Sequence, residues 1–410
     1  VAAGFDTMIH PDTAREIILA KTRSLPTEVV HLLEAGDRVL AEPLIADVDL
    51  PPFRASTMDG YAVIHNDTTI EREVVGTGFA GQDLHLKLAP GQAARIMTGA
   101  PVPDGATAVV MVENTSATGN TVRILQESVA EGENIRPIGS DMKSGDLLVP
   151  AGTRLGPAEV GLLASLGHEQ VTVGGRPRVA VMSTGDELVA PGETPGPGQI
   201  RDSNRFTLAV AARQAGAEVV MNRHVPDSQE HLQAAFNEAL SLADVVITSG
   251  GVSMGDRDLV KALLGELAEV HFQKVFFKPG KPLNFATIGD KVLFGLPGNP
   301  VSSLVCFHIF VMPAMRKLQS APPDGAGTIT VTTTMPLPPS DRIEYQRAVV
   351  WVGEDGNLVA RNTGSQISAR LASFLGANAF LIVPPAEDVH PAGSGVKAIL
   401  LAPPYSQEPR

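Results

Sequence analysis

From Arg178 onward, short and largely apolar runs alternate with longer amphipathic stretches. RVAVMST, AEVVMNRHV and ADVVITS predict buried strands, with helices between them at about 203–215 and 227–242. A further helix is expected at 257–268, strands in VHFQKVFFK and KVLFGL, and a helix starting at Pro300 with Asn299 as its N-cap. This order describes a doubly wound α/β domain. Upstream the period is different. Between about 45 and 147, β-branched runs (EREVVGTG, HLKLAPGQ, TAVVMVEN, NTVRILQE) alternate with Gly, Pro, Asn and Asp turns, predicting an all-β insertion.

Residues 10–41 read as helical, with Asp12 as N-cap and Pro26 opening a second helix at Thr27 to Ala35 that Gly36 ends. A short helix is expected from Pro157 to Leu166. After the linker-like APPDGAG, the runs TITVTTT, YQRAVVWV, NLVARN and AFLIVP describe a small β domain, expected to be barrel-like. No internal repeat is evident. The expected fold class is therefore α/β plus β and multidomain. Its parts are an N-terminal helical segment packing on the α/β domain (1–25), a small linking domain (26–45 with 147–177), the β-rich insertion (46–146), the α/β domain (178–320) and the C-terminal β domain (321–410).

A length of 410 residues implies about three domains, and 43% hydrophobic residues suffice for several cores. Only 18 residues are aromatic, which argues against stacking platforms for single-stranded nucleic acid. A net charge of -13 argues against general binding to nucleic acid or acidic membrane. That charge is unevenly spread. Residues 1–269 carry 20 basic and 36 acidic side chains, whereas 270–320 carry six basic residues against Asp290 alone. A single cysteine, Cys306, excludes an internal disulfide and reads as a buried, inert thiol; the opening VAAGFDTMIH lacks signal-peptide character, so a reducing cytoplasm is the expected location. The apolar stretch from Val301 to Met312 is too short to cross a bilayer.

Ligands of open α/β sheets gather at the carboxyl ends of strands, where loops expose backbone N–H groups. Three loops have that character: STGDEL (183–188), TSGGVSMGDRD (248–258) and GLPGNPVSS (295–303). Gly250, Gly251 and Gly255 let backbone approach a ligand, and Ser249 and Ser253 can donate to phosphate oxygens. Asp258 suits a magnesium ion bridging phosphates, or equally a helix N-terminal carboxylate. Asp186 and Glu187 share that ambiguity, and Asp227 reads first as an N-cap. Lys278 and Lys281, stiffened by Pro279 and Gly280, form a convergent pair with no neighbouring acid, which suits a compact oxyanion.

Turn-rich segments at 51–63, 95–114 and 133–146 add Thr98, Arg136 and Asp141 as candidates, while Asp59–Gly60 reads as a hairpin turn. Gly76, Gly78 and Gly81 spell GxGxxG but precede no helix, so a dinucleotide site is excluded there. Walker A, GxSxG, HExxH and paired-cysteine zinc motifs are absent. The ten histidines are scattered and read as surface or structural.

Taken in order, PPFRASTMDGYAV, IMTGAPVP, STGDEL, SGGVSMGDRD, KVFFKPGKP and GLPGNPVSS resemble the molybdopterin molybdenumtransferase family, which includes the gephyrin E domain. The late TGSQISARLASFLGANAFLIVPP is also similar to that family. The resemblance spans nearly the whole chain. It implies insertion of molybdate into the dithiolene of adenylyl-molybdopterin with release of AMP, a Mg²⁺ requirement, and a homodimer of four-part subunits. It also implies transient contact with molybdopterin adenylyltransferase and molybdoenzyme chaperones, and no nucleic-acid or membrane partner.

By motif position the resemblance implies catalytic roles for Asp59, Thr98, Arg136, Asp141, Glu187, Asp227, Asp258, Lys274, Lys278 and Lys281. Molybdate contacts are implied at Lys278, Lys281, Ser302, Arg347 and Ser368, and magnesium ligands at Asp227 and Asp258. Contacts to the pterin nucleotide are implied at Ser249, Gly250, Gly251, Ser253, Gly255, Pro297, Gly298 and Asn299. Two other readings compete: molybdopterin adenylyltransferase, which shares the α/β domain but lacks the flanking domains, and a noncatalytic gephyrin-like scaffold.

Overall fold

A computed structural model describes residues 8–81, 85–251, 265, 267–325 and 327–409. The chain divides into two compact units. One comprises Val1–Glu42, Ala151–Val160 and Gln170–Arg410, the other Pro43–Pro150 with Gly161–Glu169.

In the first unit a six-stranded sheet has the order Glu218–Val225, Arg178–Thr184, Val245–Ser249, Lys291–Leu296, Pro282–Ile288, Glu269–Lys274. The first four strands are parallel, and the last two are added antiparallel as a hairpin extension. Strand Pro282–Ile288 was not anticipated, because proline at its start and an asparagine within it disguise the run; its fully buried Leu283 and Phe285 complete the core. Helix Gln229–Leu242 buries Leu232, Ala235, Phe236 and Ala239, a spacing of three and four that puts one apolar face against the sheet. Truncating Phe236 there would cost about 3–5 kcal/mol. The expected helix 257–268 falls almost wholly outside the described residues.

The helix after Lys291–Leu296 runs through Pro300–Cys306, a π-turn at Phe307–Val311 and Met312–Leu318. Pro313 removes one backbone donor, and the wider turn before it absorbs that loss. At 19 residues and a mean hydropathy of 1.3, Pro300–Leu318 exceeds the length read from sequence and is long and apolar enough to span a bilayer. It is instead mostly buried: Val301, Val305, Phe307, Phe310 and Met315 are enclosed by the sheet core. Cys306 is fully buried within it, and burial pushes its thiol pKa far up. His308 sits between Phe307 and Phe380, and burial lowers its pKa to about 4, in keeping with a structural role.

Two capping expectations are corrected at the N-terminus. Helix Pro11–Lys21 is capped by His10, whose Nδ1 accepts from Asp12 N at 3.3 Å, because Pro11 takes the first helical position and leaves Asp12 inside the first turn. The expected helix at Thr27 to Ala35 does not form. Glu28–His31 is a strand paired antiparallel with Gln170–Val173, and only Leu32–Glu34 makes a 3₁₀ turn. The β-branched Val29 and Val30 favour that pairing over a short isolated helix.

The remaining strands of this unit are Ile329–Thr333, Ile343–Val352, Leu358–Asn362, Ala379–Val383 and Gly395–Leu400. Pairing of Ile343–Val352 with both Leu358–Asn362 and Ala379–Val383 closes them into a five-stranded barrel around Val331, Leu337, Val350 and Leu381. A two-residue strand, Phe277–Lys278, joins its edge in parallel with Ile343 and Glu344.

The second unit centres on a six-stranded sheet containing Gly60–Val63, Glu71–Gly78, Gln92–Ile96 and Ala108–Met111. Asp59–Gly60 is not the tip of a hairpin: Gly60 starts a central strand. A Cβ at that position would lie 2.0 Å from the Val110 carbonyl oxygen, so the close approach of two strands requires glycine there.

Candidate functional site

The parallel strands of the first unit end together, and the loops following them enclose a cavity of about 590 Å³. Thr184, Gly185 and Glu187 line it from the loop after Arg178–Thr184, Ser249 to Gly251 from the next, and Pro297 to Asn299 from the third. Asn204 binds two of these loops, donating from Nδ2 to Ser249 Oγ at 2.8 Å and to the Gly298 carbonyl at 2.7 Å. Asp202, buried beside it, accepts from Ser183 Oγ at 2.5 Å and from Arg205 Nε at 2.9 Å. Among the described residues, the buried Thr184 Oγ1 has no hydrogen-bond partner. Asp202, Asn204 and Thr184 were not predicted; a DSN triplet ahead of helix Asn204–Gln214 was the available signal.

Three carboxylates meet at the rim. Asp227 N donates to Asp186 Oδ1 at 3.1 Å, and the Asp227 carboxyl is raised above its ordinary pKa by burial and by the charges of Asp186 and Glu187. Asp227 is not the helix cap: Ser228 takes that place, with Oγ accepting from His231 N, which frees the Asp227 carboxylate. Among the described residues no group of three or more Asp, Glu, His or Cys side chains is spaced as a metal cage. Mg²⁺ needs only one or two carboxylates when water and phosphate supply the rest, and clustered hard oxygens that repel one another fit that ion. Ser253, Gly255 and Asp258 lie outside the described residues.

A second cavity, about 570 Å³, is lined by Lys278, Lys281, Ser302 and Ser368 and shares Pro282 and Asn299 with the first. Asn299 Nδ2 donates to Ser368 Oγ at 3.0 Å, and Val301 N donates to the Ser368 carbonyl at 3.0 Å, tying a barrel loop to the start of the core helix. Arg342 also lines this cavity and adds a cation that sequence reasoning missed, since DRIEY carries no local sign of a pocket. The lysine pair is not acid-free. Parallel pairing of Phe277–Lys278 with the barrel brings Glu344 Oε2 to 3.8 Å from Lys278 Nζ.

Neither Arg347 nor Lys274 is among the residues that line the two cavities. Arg347 is fully buried and lines neither cavity: Nε donates to Ser373 Oγ at 3.1 Å and a terminal nitrogen to the Ser365 carbonyl at 3.4 Å. Burial lowers its pKa to about 10. Its backbone N–H donates to Gln366 Oε1 at 2.9 Å, so it supports the turn that carries Ser368. Lys274 ends strand Glu269–Lys274 opposite Pro282 and is half-buried.

In the second unit, Asp59 Oδ1 accepts from Thr98 N at 2.7 Å and from Thr98 Oγ1 at 2.8 Å, and these bonds hold its carboxyl below the ordinary carboxylate pKa. Arg136 and Asp141 form an ion pair there, both half-exposed.

Three family models match in the order of the fold: the MoeA N-terminal region (domain I and II) over residues 9–167, a probable molybdopterin binding domain over 180–317, and the MoeA C-terminal region (domain IV) over 330–401. A molybdopterin molybdenumtransferase of Haemophilus influenzae is 37% identical over 92% of this chain and 94% of its own length. The chain belongs to the molybdopterin molybdenumtransferase family. A gephyrin from Dictyostelium discoideum is 35% identical, covering 97% of this chain and 62% of its own. The solved molybdopterin biosynthesis MoeA protein of Pyrococcus horikosii superposes with a TM-score of 0.82 at 31% identity, covering 97% of this chain and 100% of that one. The expected fold class is thereby borne out.

Within this molybdenumtransferase-family fold, residues dispersed from 183 to 300 converge on the first cavity, including Glu187, Asp227, Ser249, Gly250, Gly251, Pro297, Gly298 and Asn299. Lys278, Lys281, Ser302 and Ser368 converge on the adjoining one. Asp59, Thr98, Arg136 and Asp141 lie in the other compact unit as two bonded pairs.

Proposed function

We propose that this chain is a Mg²⁺-dependent transferase that inserts molybdate into the dithiolene of adenylyl-molybdopterin, releasing AMP and forming molybdenum cofactor. The observation that carries this reading is the adjacency of two chemically different cavities with a shared wall at Pro282 and Asn299. A reaction joining an adenylylated pterin to an oxyanion needs such a pair.

In the first cavity, glycines at 250 and 251 let backbone approach phosphate oxygens while Ser249 is held by Asn204. Asp227, with Asp186 beside it and Asp258 from the same motif set, would hold Mg²⁺, which when bound offsets the phosphate charge of the leaving AMP. In the second cavity Lys278, Lys281 and Arg342 oppose a tetrahedral dianion with positive charge, and Ser302 and Ser368 offer hydroxyl donors. Holding both reactants across one shared wall converts a bimolecular encounter into a local one.

On the same reading Asp59, Thr98, Arg136 and Asp141 serve this reaction, and the working assembly is a homodimer in the cytoplasm. Its domain partition follows the sequence breaks, with residues 178–320 binding the pterin nucleotide and 321–410 completing the oxyanion cavity.

The test is mass spectrometry after mixing the protein with adenylyl-molybdopterin, Mg²⁺ and molybdate. Coupled appearance of AMP and molybdenum cofactor is expected; AMP without cofactor, or neither product, rejects the reading. Lys278→Ala should weaken molybdate binding about tenfold or more with little change in nucleotide binding.

A further inference from the structure

A carboxylate in a cavity built for an anion opposes its purpose unless it has a task of its own. Glu344 is such a group. It lines the second cavity among Lys278, Lys281 and Arg342, yet it is only 8% exposed. It is not a loosely held surface acid. Its Oε2 accepts from Gln346 Nε2 at 3.1 Å, and Gln346, itself fully buried, accepts from Asn362 Nδ2 at 3.0 Å. The strand register sets Glu344 directly opposite Lys278. At 3.8 Å the separation is too long for a hydrogen bond but short enough for attraction, which the shielding of Glu344 strengthens and the one-third exposure of the Lys278 side chain moderates.

We propose that Glu344 is a counter-ion and positioning residue for Lys278: it holds the ammonium before an anion binds and makes an arriving oxyanion compete for it. Molybdate is then held firmly enough to be placed yet loosely enough to be passed to the neighbouring cavity. The inference rests on the proposed function of this cavity as the oxyanion site. Its physical basis is that a fixed negative charge near a bound dianion raises the free energy of the bound state without altering the shape of the pocket.

The experiment is direct binding of molybdate, tungstate and sulfate by calorimetry to the full-length protein and its variants, with molybdate KM and kcat measured in parallel. Glu344→Gln keeps an acceptor for the Gln346 amide and removes only the charge. It should bind all three dianions about tenfold more tightly, with a lower KM for molybdate and a lower kcat. Glu344→Asp retains the charge and should return affinity to within about threefold of the parent protein. Unchanged or weaker binding by Glu344→Gln, with unaltered melting temperature, overturns the proposal. If Glu344→Gln fails to fold, Glu344→Asp decides: affinity tightened as much as tenfold, despite the retained carboxylate, overturns it. Lys278→Ala separates the two layers of inference, because if it leaves molybdate affinity unchanged, the oxyanion reading of the cavity is what fails.

Discussion

Asn204 and Ser249 are joined by a 2.8 Å hydrogen bond, and the same amide reaches the Gly298 carbonyl at 2.7 Å. One side chain at the start of a helix thus fixes two of the loops around the first cavity. Asn204→Ala should reduce stability by about 1–3 kcal/mol, because Ser249 is buried and loses a donor. Urea unfolding would measure that loss. AMP binding should weaken roughly tenfold, and parent-like affinity would show that the loops hold their places without Asn204.

Gly280 occupies a backbone conformation with φ of +131°, and a Cβ there would meet Cys306 Sγ at 2.6 Å and the Phe277 ring at 2.7 Å. Neither neighbour can move, since both are fully buried. Gly280→Ala should therefore cost about 1–3 kcal/mol and displace Lys278 and Lys281 on either side. The expected outcome is a lower melting temperature together with weaker molybdate binding; loss of neither would show that the turn tolerates the side chain.

Arg347 is buried outside the lining of the second cavity and bonds to Gln366, which does line it. Arg347→Lys keeps the charge but cannot reach Ser373 Oγ and the Ser365 carbonyl together. A loss of about 2–4 kcal/mol in denaturant unfolding is expected, with molybdate affinity falling as the turn bearing Ser368 loosens. Full affinity at reduced stability would separate the support of the barrel from the support of the site.

Asp227 and Asp59 should respond to pH in opposite directions. The raised pKa of Asp227 means that its favourable, protonated contribution is present below the ordinary carboxylate pKa and lost as pH rises through the raised value. Asp227→Asn should accordingly raise the melting temperature of the ligand-free protein at pH 7, by a margin that vanishes in acid, while lowering transferase activity. The depressed pKa of Asp59 means that its contribution is present above the ordinary value and lost as pH falls through the depressed one. Asp59→Asn should lower the melting temperature at pH 7, and Thr98→Val should move the Asp59 titration back toward the ordinary value. Carboxyl chemical shifts and melting curves from pH 2 to 8 would check both signs.

The α/β strands were legible because buried parallel strands need continuous apolar runs: RVAVMST and KVLFGL form the strands Arg178–Thr184 and Lys291–Leu296 residue for residue. Thr27 to Ala35 was misread because a short segment takes its conformation from its partner, and Gln170–Val173 lies some 140 residues away. Asp227 lost its capping role to Ser228 for a similar reason: both are good N-cap residues, and only the backbone geometry chooses between them.

By itself the sequence determined the alternation of strands and helices, the three Gly-rich loops and the concentration of positive charge around Lys278 and Lys281, because these depend on local composition and spacing. Tertiary structure alone decided that Asn204 braces the first cavity, that Arg342 and Glu344 enter the second, and that Arg347 is buried outside its lining. The physical reason is range. A hydrophobic period and a turn preference act between near neighbours, whereas an ion pair such as Lys278–Glu344 exists only after separate strands have paired, and nothing in the local sequence of either residue specifies the other.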